Sequence, residues 1–144
     1  MLRALAVAGG VAGAAVLSQF PEFSQQYLQR LAGQVDAMAL LVAEFDATAA
    51  ANGLTRDAAL AELRGTPFLI DRRTDLERAF ARHDRLAANL AALRAASPLE
   101  RMAMPHRLAD PETLRATWAD FRPAVPVTAD GGISALVGYF AGWL

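Results

Sequence analysis

Few side chains in this sequence have the type and spacing to do chemistry. The two histidines, His83 and His106, have no partners at metal-ligand spacing. His83 falls on the apolar stripe of a helical pattern and reads as a packed or interface histidine. His106, between Pro105 and Arg107, reads as a solvated loop residue. Ser18 and Ser134 have no base nearby in the sequence pattern. The chain has no cysteine, which excludes disulfides, thiolate nucleophiles and cysteine-ligated metals. The pairs Gly9-Gly10 and Gly131-Gly132 lie in or beside apolar segments with no lysine following, so neither is a phosphate loop. Residues 71–78 alternate in sign, and Arg73 with Glu77 is an i,i+4 pair. A solvated helix face explains that run more simply than a catalytic carboxylate pair. We therefore assign no catalytic, cofactor-binding or metal-ligating residue, and the sequence points away from an enzyme.

What the residues do carry is a pattern of hydrophobicity. Fourteen arginines against 15 acidic residues give a net charge of −1 over 144 residues, one domain's length. That balance argues against a nucleic-acid binder, which would carry a basic surplus. All the basic residues are arginine and 33 residues are alanine, which we read as codon bias. Overall 54% of residues are hydrophobic and 20% charged, below the norm of ~25% charged. The excess sits at the ends. Residues 1–20 hold one charge, Arg3, and residues 4–17 are an unbroken apolar or glycine run. Residues 131–144 hold no charge, whereas the region 21–127 has the charge content of a water-soluble domain.

At about 1.5 Å per residue, residues 2–20 predict a helix of roughly 28 Å, near the ~30 Å hydrocarbon thickness. The carboxy-terminal segment, counted from Ala129, reaches only about 24 Å, with Tyr139 and Trp143 placed for an interfacial belt. A secretory leader is the rival reading of the amino end. Such leaders favour leucine, however, and this run is built on alanine and glycine. Gly9 and Gly13 form a small-xxx-small pattern, repeated in Gly138 and Gly142. Four-residue spacing stacks small residues on one face and lets helix backbones approach closely in lipid. These four glycines are the expected helix-packing residues, within the chain or against other spans.

Between the ends the pattern is helical. Leu28, Leu31, Val35, Met38, Val42 and Phe45 follow heptad steps, to a stop at Asn52-Gly53. Thr55 caps a short helix that ends at Gly65, and Thr66-Pro67 opens a long one to about Ala96. Along it, Leu76, Phe80, His83, Ala87 and Leu90 make one stripe. Ser97-Pro98-Leu99-Glu100 is a capping box, and Asp110-Pro111-Glu112 starts another helix. Pro123 and Pro126 force an extended connector, after which Thr128 caps the last helix. No segment alternates with a period of two, so no sheet is expected.

The most distinctive polar cluster, Gln25-Gln26-Tyr27-Leu28-Gln29-Arg30, follows the first apolar segment. There Tyr27 would rest in a membrane interface while Gln26, Gln29 and Arg30 reach head groups or a partner. Trp143 would do the same at the other end.

Around this cluster, Ser18-Gln19-Phe20-Pro21-Glu22-Phe23 and Gln26 through Gly33 resemble a known family. So do Phe121-Arg122-Pro123-Ala124-Val125-Pro126-Val127-Thr128 and the closing Gly142-Trp143-Leu144. The resemblance is to the uncharacterised proteobacterial membrane proteins of domain-of-unknown-function family 2937. It implies an inner-membrane protein with two spans and a helical domain between them, and brings no activity or catalytic residue. Asp130 stands where that pattern would have glutamate.

The expectation is an all-α membrane protein with a transmembrane helix over 1–20, a helical extramembrane domain over 21–127 built on an antiparallel hairpin, and a second transmembrane helix over 128–144. It would sit in the bacterial inner membrane with its central domain in the periplasm. Its partners would be the lipid bilayer and other integral membrane proteins, with no nucleic acid, cofactor or small-molecule substrate. The expected role is an accessory or scaffolding subunit. A periplasmic ligand-sensing module and a secreted helical protein are the alternatives.

Overall fold

The computed structural model describes residues 2–123 and 129–143. Among them every regular element is helical: α1 (Leu2–Leu17), α2 (Phe20–Ala51), α3 (Arg56–Glu62), α4 (Pro67–Ala95), α5 (Pro98–Met102), α6 (Pro111–Asp120) and α7 (Ala129–Trp143), with one 3-10 turn at Pro105–Arg107. The extended connector expected through Pro126 and the cap expected at Thr128 lie outside the described residues. The chain divides into two compact units, one of Met1–Arg30 with Leu90–Leu144, the other of Leu31–Asn89.

The first apolar segment does not run to Phe20 as one helix. Pro21 has no N–H to donate to the Leu17 carbonyl four residues back, and its ring crowds that oxygen. Helix α1 therefore ends at Leu17, and Ser18-Gln19 form a turn in which the Ser18 hydroxyl donates to the Ala15 carbonyl at 2.9 Å. The 16 residues of α1 span about 24 Å and the 15 of α7 about 22 Å. Among the described residues no helix is long and apolar enough to cross a membrane. The expectation of a span-length helix over residues 1–20 is corrected accordingly.

The joints fold as local chemistry dictates. Gly53 takes φ +71°, which glycine adopts without a steric penalty. The Leu54 and Gly53 N–H groups then reach back to Ala49 and Ala50 carbonyls at 2.9 Å, closing the end of α2. Thr55, Thr66 and Asp110 side chains accept from backbone N–H groups at the starts of α3, α4 and α6. Ser97 and Glu100 make both bonds of the capping box, at 2.7 and 3.3 Å.

In the unit Leu31–Asn89, Leu60, Leu76 and Phe80 form a buried cluster against which Val42, Phe45 and Leu63 pack. Phe45 and Phe80 meet edge to face at 5.2 Å. Arg56 forks onto Asp46, with Nε 2.7 Å from Oδ1, and lies 5.0 Å over the Phe80 ring. The other unit holds the buried side chains of Tyr27, Leu28, Leu90, Leu93 and Leu108. Arg101, also buried there, donates from Nε to the Leu93 carbonyl at 2.9 Å and from Nη1 to Gln25 Oε1 at 3.5 Å. Burial of its guanidinium lowers its pKa.

Candidate functional site

Helices α1 and α7 lie antiparallel with their small residues face to face. A Cβ built on Gly13 would sit 2.1 Å from the Gly138 carbonyl oxygen, and one on Gly9 would sit 2.3 Å from that of Gly142. Built the other way, a Cβ on Gly138 or Gly142 would sit 2.1 Å from the Gly13 or Gly9 oxygen. Backbones this close leave no room for any side chain, so the four glycines pack within the chain. Gly10 lies under the Tyr139 ring. Ser134 is fully buried, donating to the Asp130 carbonyl at 2.7 Å and lying 3.7 Å from Met102 Sδ of α5.

The outer faces of the pair are the reverse. Val7, Val11 and Val16 of α1, and Ile133, Leu136, Val137, Phe140 and Trp143 of α7, are exposed. Branched and aromatic side chains point outward and glycines inward, opposite to the arrangement water favours.

At the foot of α1, the first turns of α2 lie beside α6 and form two hollows. The first, of about 370 Å³, is apolar and lined by the last turn of α1 with Phe20, Phe23, Trp118 and Phe121. Phe23 meets Trp118 at 6.0 Å and Phe121 at 5.5 Å, both edge to face. Trp118 nevertheless stays 72% exposed. The second hollow, of about 520 Å³, is polar and lined by Glu22, Gln26, Gln29, Arg30, Thr117, Asp120 and Arg122. Gln26 donates from Nε2 to Glu22 Oε1 at 2.8 Å and reaches the Arg122 carbonyl at 3.5 Å. Arg30 pairs with the Asp120 carboxylate.

Of the polar cluster after the first apolar segment, Gln26, Gln29 and Arg30 line this hollow. Tyr27 does not share their surface. It is 0% exposed, and its hydroxyl accepts from the Asp110 N–H at 3.3 Å. The expectation that it rests at an interface is corrected: α2 turns Tyr27 inward, toward Asp110, whose Oδ1 accepts from the Thr113 hydroxyl at 2.8 Å. Burial raises the Tyr27 pKa, outweighing the backbone bond that lowers it. His83 is partly buried, its Nδ1 3.0 Å from Asp84 Oδ1. Among the described residues no group of three histidine or acidic side chains is placed to hold a metal.

Sequence reasoning missed the α6 wall of both hollows, Thr117, Trp118 and Asp120. The available signal was the three-residue spacing shared by Phe20 with Phe23 and by Trp118 with Phe121, which puts two aromatic residues on one side of α2 and two close together at the end of α6.

Across residues 1–144 the chain matches the family described as protein of unknown function (DUF2937), and it belongs to that family. No curated protein and no solved structure matches it.

Proposed function

We propose, starting from membership of that family, that the chain is a small membrane-anchored accessory or scaffolding protein of the bacterial inner membrane. The α1–α7 pair would insert in the apolar layer and the remaining helices would stand at its surface, offering a platform to other integral proteins. One observation carries this reading: the pair packs its glycines inward and presents Val7, Val11, Val16, Leu136, Val137 and Phe140 outward. In water these side chains would form a contiguous apolar surface of the kind that marks a membrane or protein contact. In lipid they are solvated, and the glycine seam supplies the close van der Waals packing that holds helices together there.

The shortness of both helices fits an inserted pair that thins the bilayer locally. A deficit of about 6–8 Å against the ~30 Å core costs fractions of a kcal/mol per Å. Phe20, Phe23 and Trp118 at the foot of α1 suit one interfacial layer and Trp143 ends α7 toward the other, whereas Tyr139, against Gly10, lies midway along the pair. Against a cleaved leader stands the packing of α1, whose removal would bare the Gly138 and Gly142 face of α7.

Membranes from cells expressing the full chain, washed with alkaline carbonate, test the anchor. Retention in the pellet is expected, and release at full length overturns it. Sizing in mild detergent tests the accessory role, for which co-migration with other integral proteins is expected. A species no larger than one chain and its micelle would remove that role.

A further inference from the structure

The two hollows beside α1 are polar and apolar halves of one surface. Phe23 lies one residue from Glu22 and three from Gln26, while Trp118 and Phe121 adjoin Thr117, Asp120 and Arg122. Both hollows therefore share the seam between the first turns of α2 and α6. We propose that this seam binds one zwitterionic phospholipid, a glycerophospholipid with a phosphoethanolamine headgroup. Its headgroup lies in the polar hollow and the start of an acyl chain lies against the aromatic notch. The site rests on the membrane anchoring proposed above for its supply of lipid.

Charge selects the headgroup. The polar hollow brings together two carboxylates, Glu22 and Asp120, and two guanidiniums, Arg30 and Arg122. With Arg30 already on Asp120, the charges left to a ligand are Arg122 and Glu22, and an anionic headgroup would satisfy Arg122 and leave its charge facing Glu22. A zwitterion matches both signs, with the phosphate toward Arg122, a fork suited to phosphate oxygens, and the ammonium toward Glu22. The primary ammonium has three N–H donors for Glu22 and the Gln29 amide oxygen. A trimethylammonium has none and depends on aromatic walls. The rings here are confined to the apolar notch, where Phe23 packs edge to face on its two neighbours and no box is formed. The volume, about 520 Å³, falls within the range of small-molecule sites. Position agrees as well, because the notch includes the last turn of α1, where the apolar pair gives way to the charged helices. That is the level at which an anchored chain meets head groups, with apolar and polar halves in the order an amphiphile presents them.

The test uses the full chain in maltoside micelles with Trp143→Phe, which leaves Trp118 as the sole tryptophan. Short-chain phosphatidylethanolamine, phosphatidylcholine, phosphatidylglycerol and inorganic phosphate are titrated separately while Trp118 emission is followed. Phosphatidylethanolamine should shift the emission to the blue and saturate at a concentration about tenfold below the other two lipids, with phosphate alone inert. Glu22→Gln and Arg122→Gln, each checked for unchanged helix content, should each weaken binding by about tenfold. Equal half-saturation for the three lipids, a response to phosphate alone, or variants that bind as the parent does would overturn the site. Flotation with phosphatidylethanolamine and phosphatidylglycerol vesicles separates the two proposals. A chain that floats but gives a flat titration keeps its anchor and loses the site, whereas a saturating titration from a chain that does not float removes the anchor alone.

Discussion

The Tyr27 hydroxyl ties α2 to the start of α6 through the Asp110 N–H, and both partners are buried. Tyr27→Phe keeps the ring and removes the acceptor, leaving a buried donor unsatisfied at a cost of about 1–3 kcal/mol. Denaturant unfolding in detergent should show the loss as a lower midpoint with the same slope. The phenol also sets an alkaline limit. Its pKa is raised in the folded chain, so its contribution is fully present below the unfolded value near 10 and falls away as pH rises through the higher folded value. The wild type should therefore lose stability above about pH 10 more steeply than Tyr27→Phe. Asp46 marks the acid side. The fork from Arg56, chiefly its hydrogen bond, lowers the Asp46 pKa. That contribution is present above the ordinary carboxylate value near 4 and is lost as pH falls through the lower folded one. Asp46→Asn should flatten the fall in stability below about pH 4, measured as unfolding midpoint against pH. An unchanged slope would show that other carboxylates carry the acid transition.

Helices α1 and α7 meet through backbone, so one added methyl group is decisive. Gly138→Ala would place a Cβ 2.1 Å from the Gly13 oxygen, whereas Gly132→Ala on the same helix meets nothing within 4 Å. The first should open the pair and lower its thermal stability, and the second should raise helix stability by up to about 1 kcal/mol. Gly33→Ala, equally open on α2, should behave like Gly132→Ala. Matching losses at positions 132 and 138 would refute the seam. How much of this could be read from sequence follows from range. The caps at Thr55, Thr66, Ser97 and Asp110 were readable because each acts within about three residues. The end of α1 was misplaced because the periodicity of small residues continues through Ser18 while Pro21 acts four residues back. Tyr27 was misassigned because its neighbours Gln26 and Gln29 are polar, and its inward direction depends on Asp110, 83 residues away. The two hollows were out of reach for the same reason, since each is closed by residues at the end of α6 or just after it and no local pattern says which helix α2 will meet.

The antiparallel pairing of α1 with α7 fixes how the chain as a whole would sit in a membrane. Gly9 opposes Gly142 and Gly13 opposes Gly138, so the start of α1 and the end of α7 lie at the same end of the pair. If the pair inserts, Arg3 and Trp143 lie toward one side and α1 leads into α2 on the other. We propose that the ends would then lie in the cytoplasm. Arg3 favours retention there, and a loop longer than ~60 residues crosses largely regardless of its own charges. The absence of cysteine makes the prediction direct to check, because a single introduced thiol is the only site that a membrane-impermeant maleimide can label. Asn52 is exposed at the end of α2, so Asn52→Cys should react in intact spheroplasts. Arg3→Cys and Trp143→Cys should react only after the membrane is opened. Labelling of Arg3→Cys and Trp143→Cys from opposite sides would mean that only one helix crosses, which the glycine pairing does not permit. Labelling of all three from the same side would place the pair on the surface, lying flat with Val7, Val11 and Phe140 turned into the interface. In a flat orientation only one outer face can reach the lipid, so Val16→Asp and Leu136→Asp should then differ in their effect on membrane retention. For an inserted pair, surrounded on both faces, the two substitutions should release the chain alike.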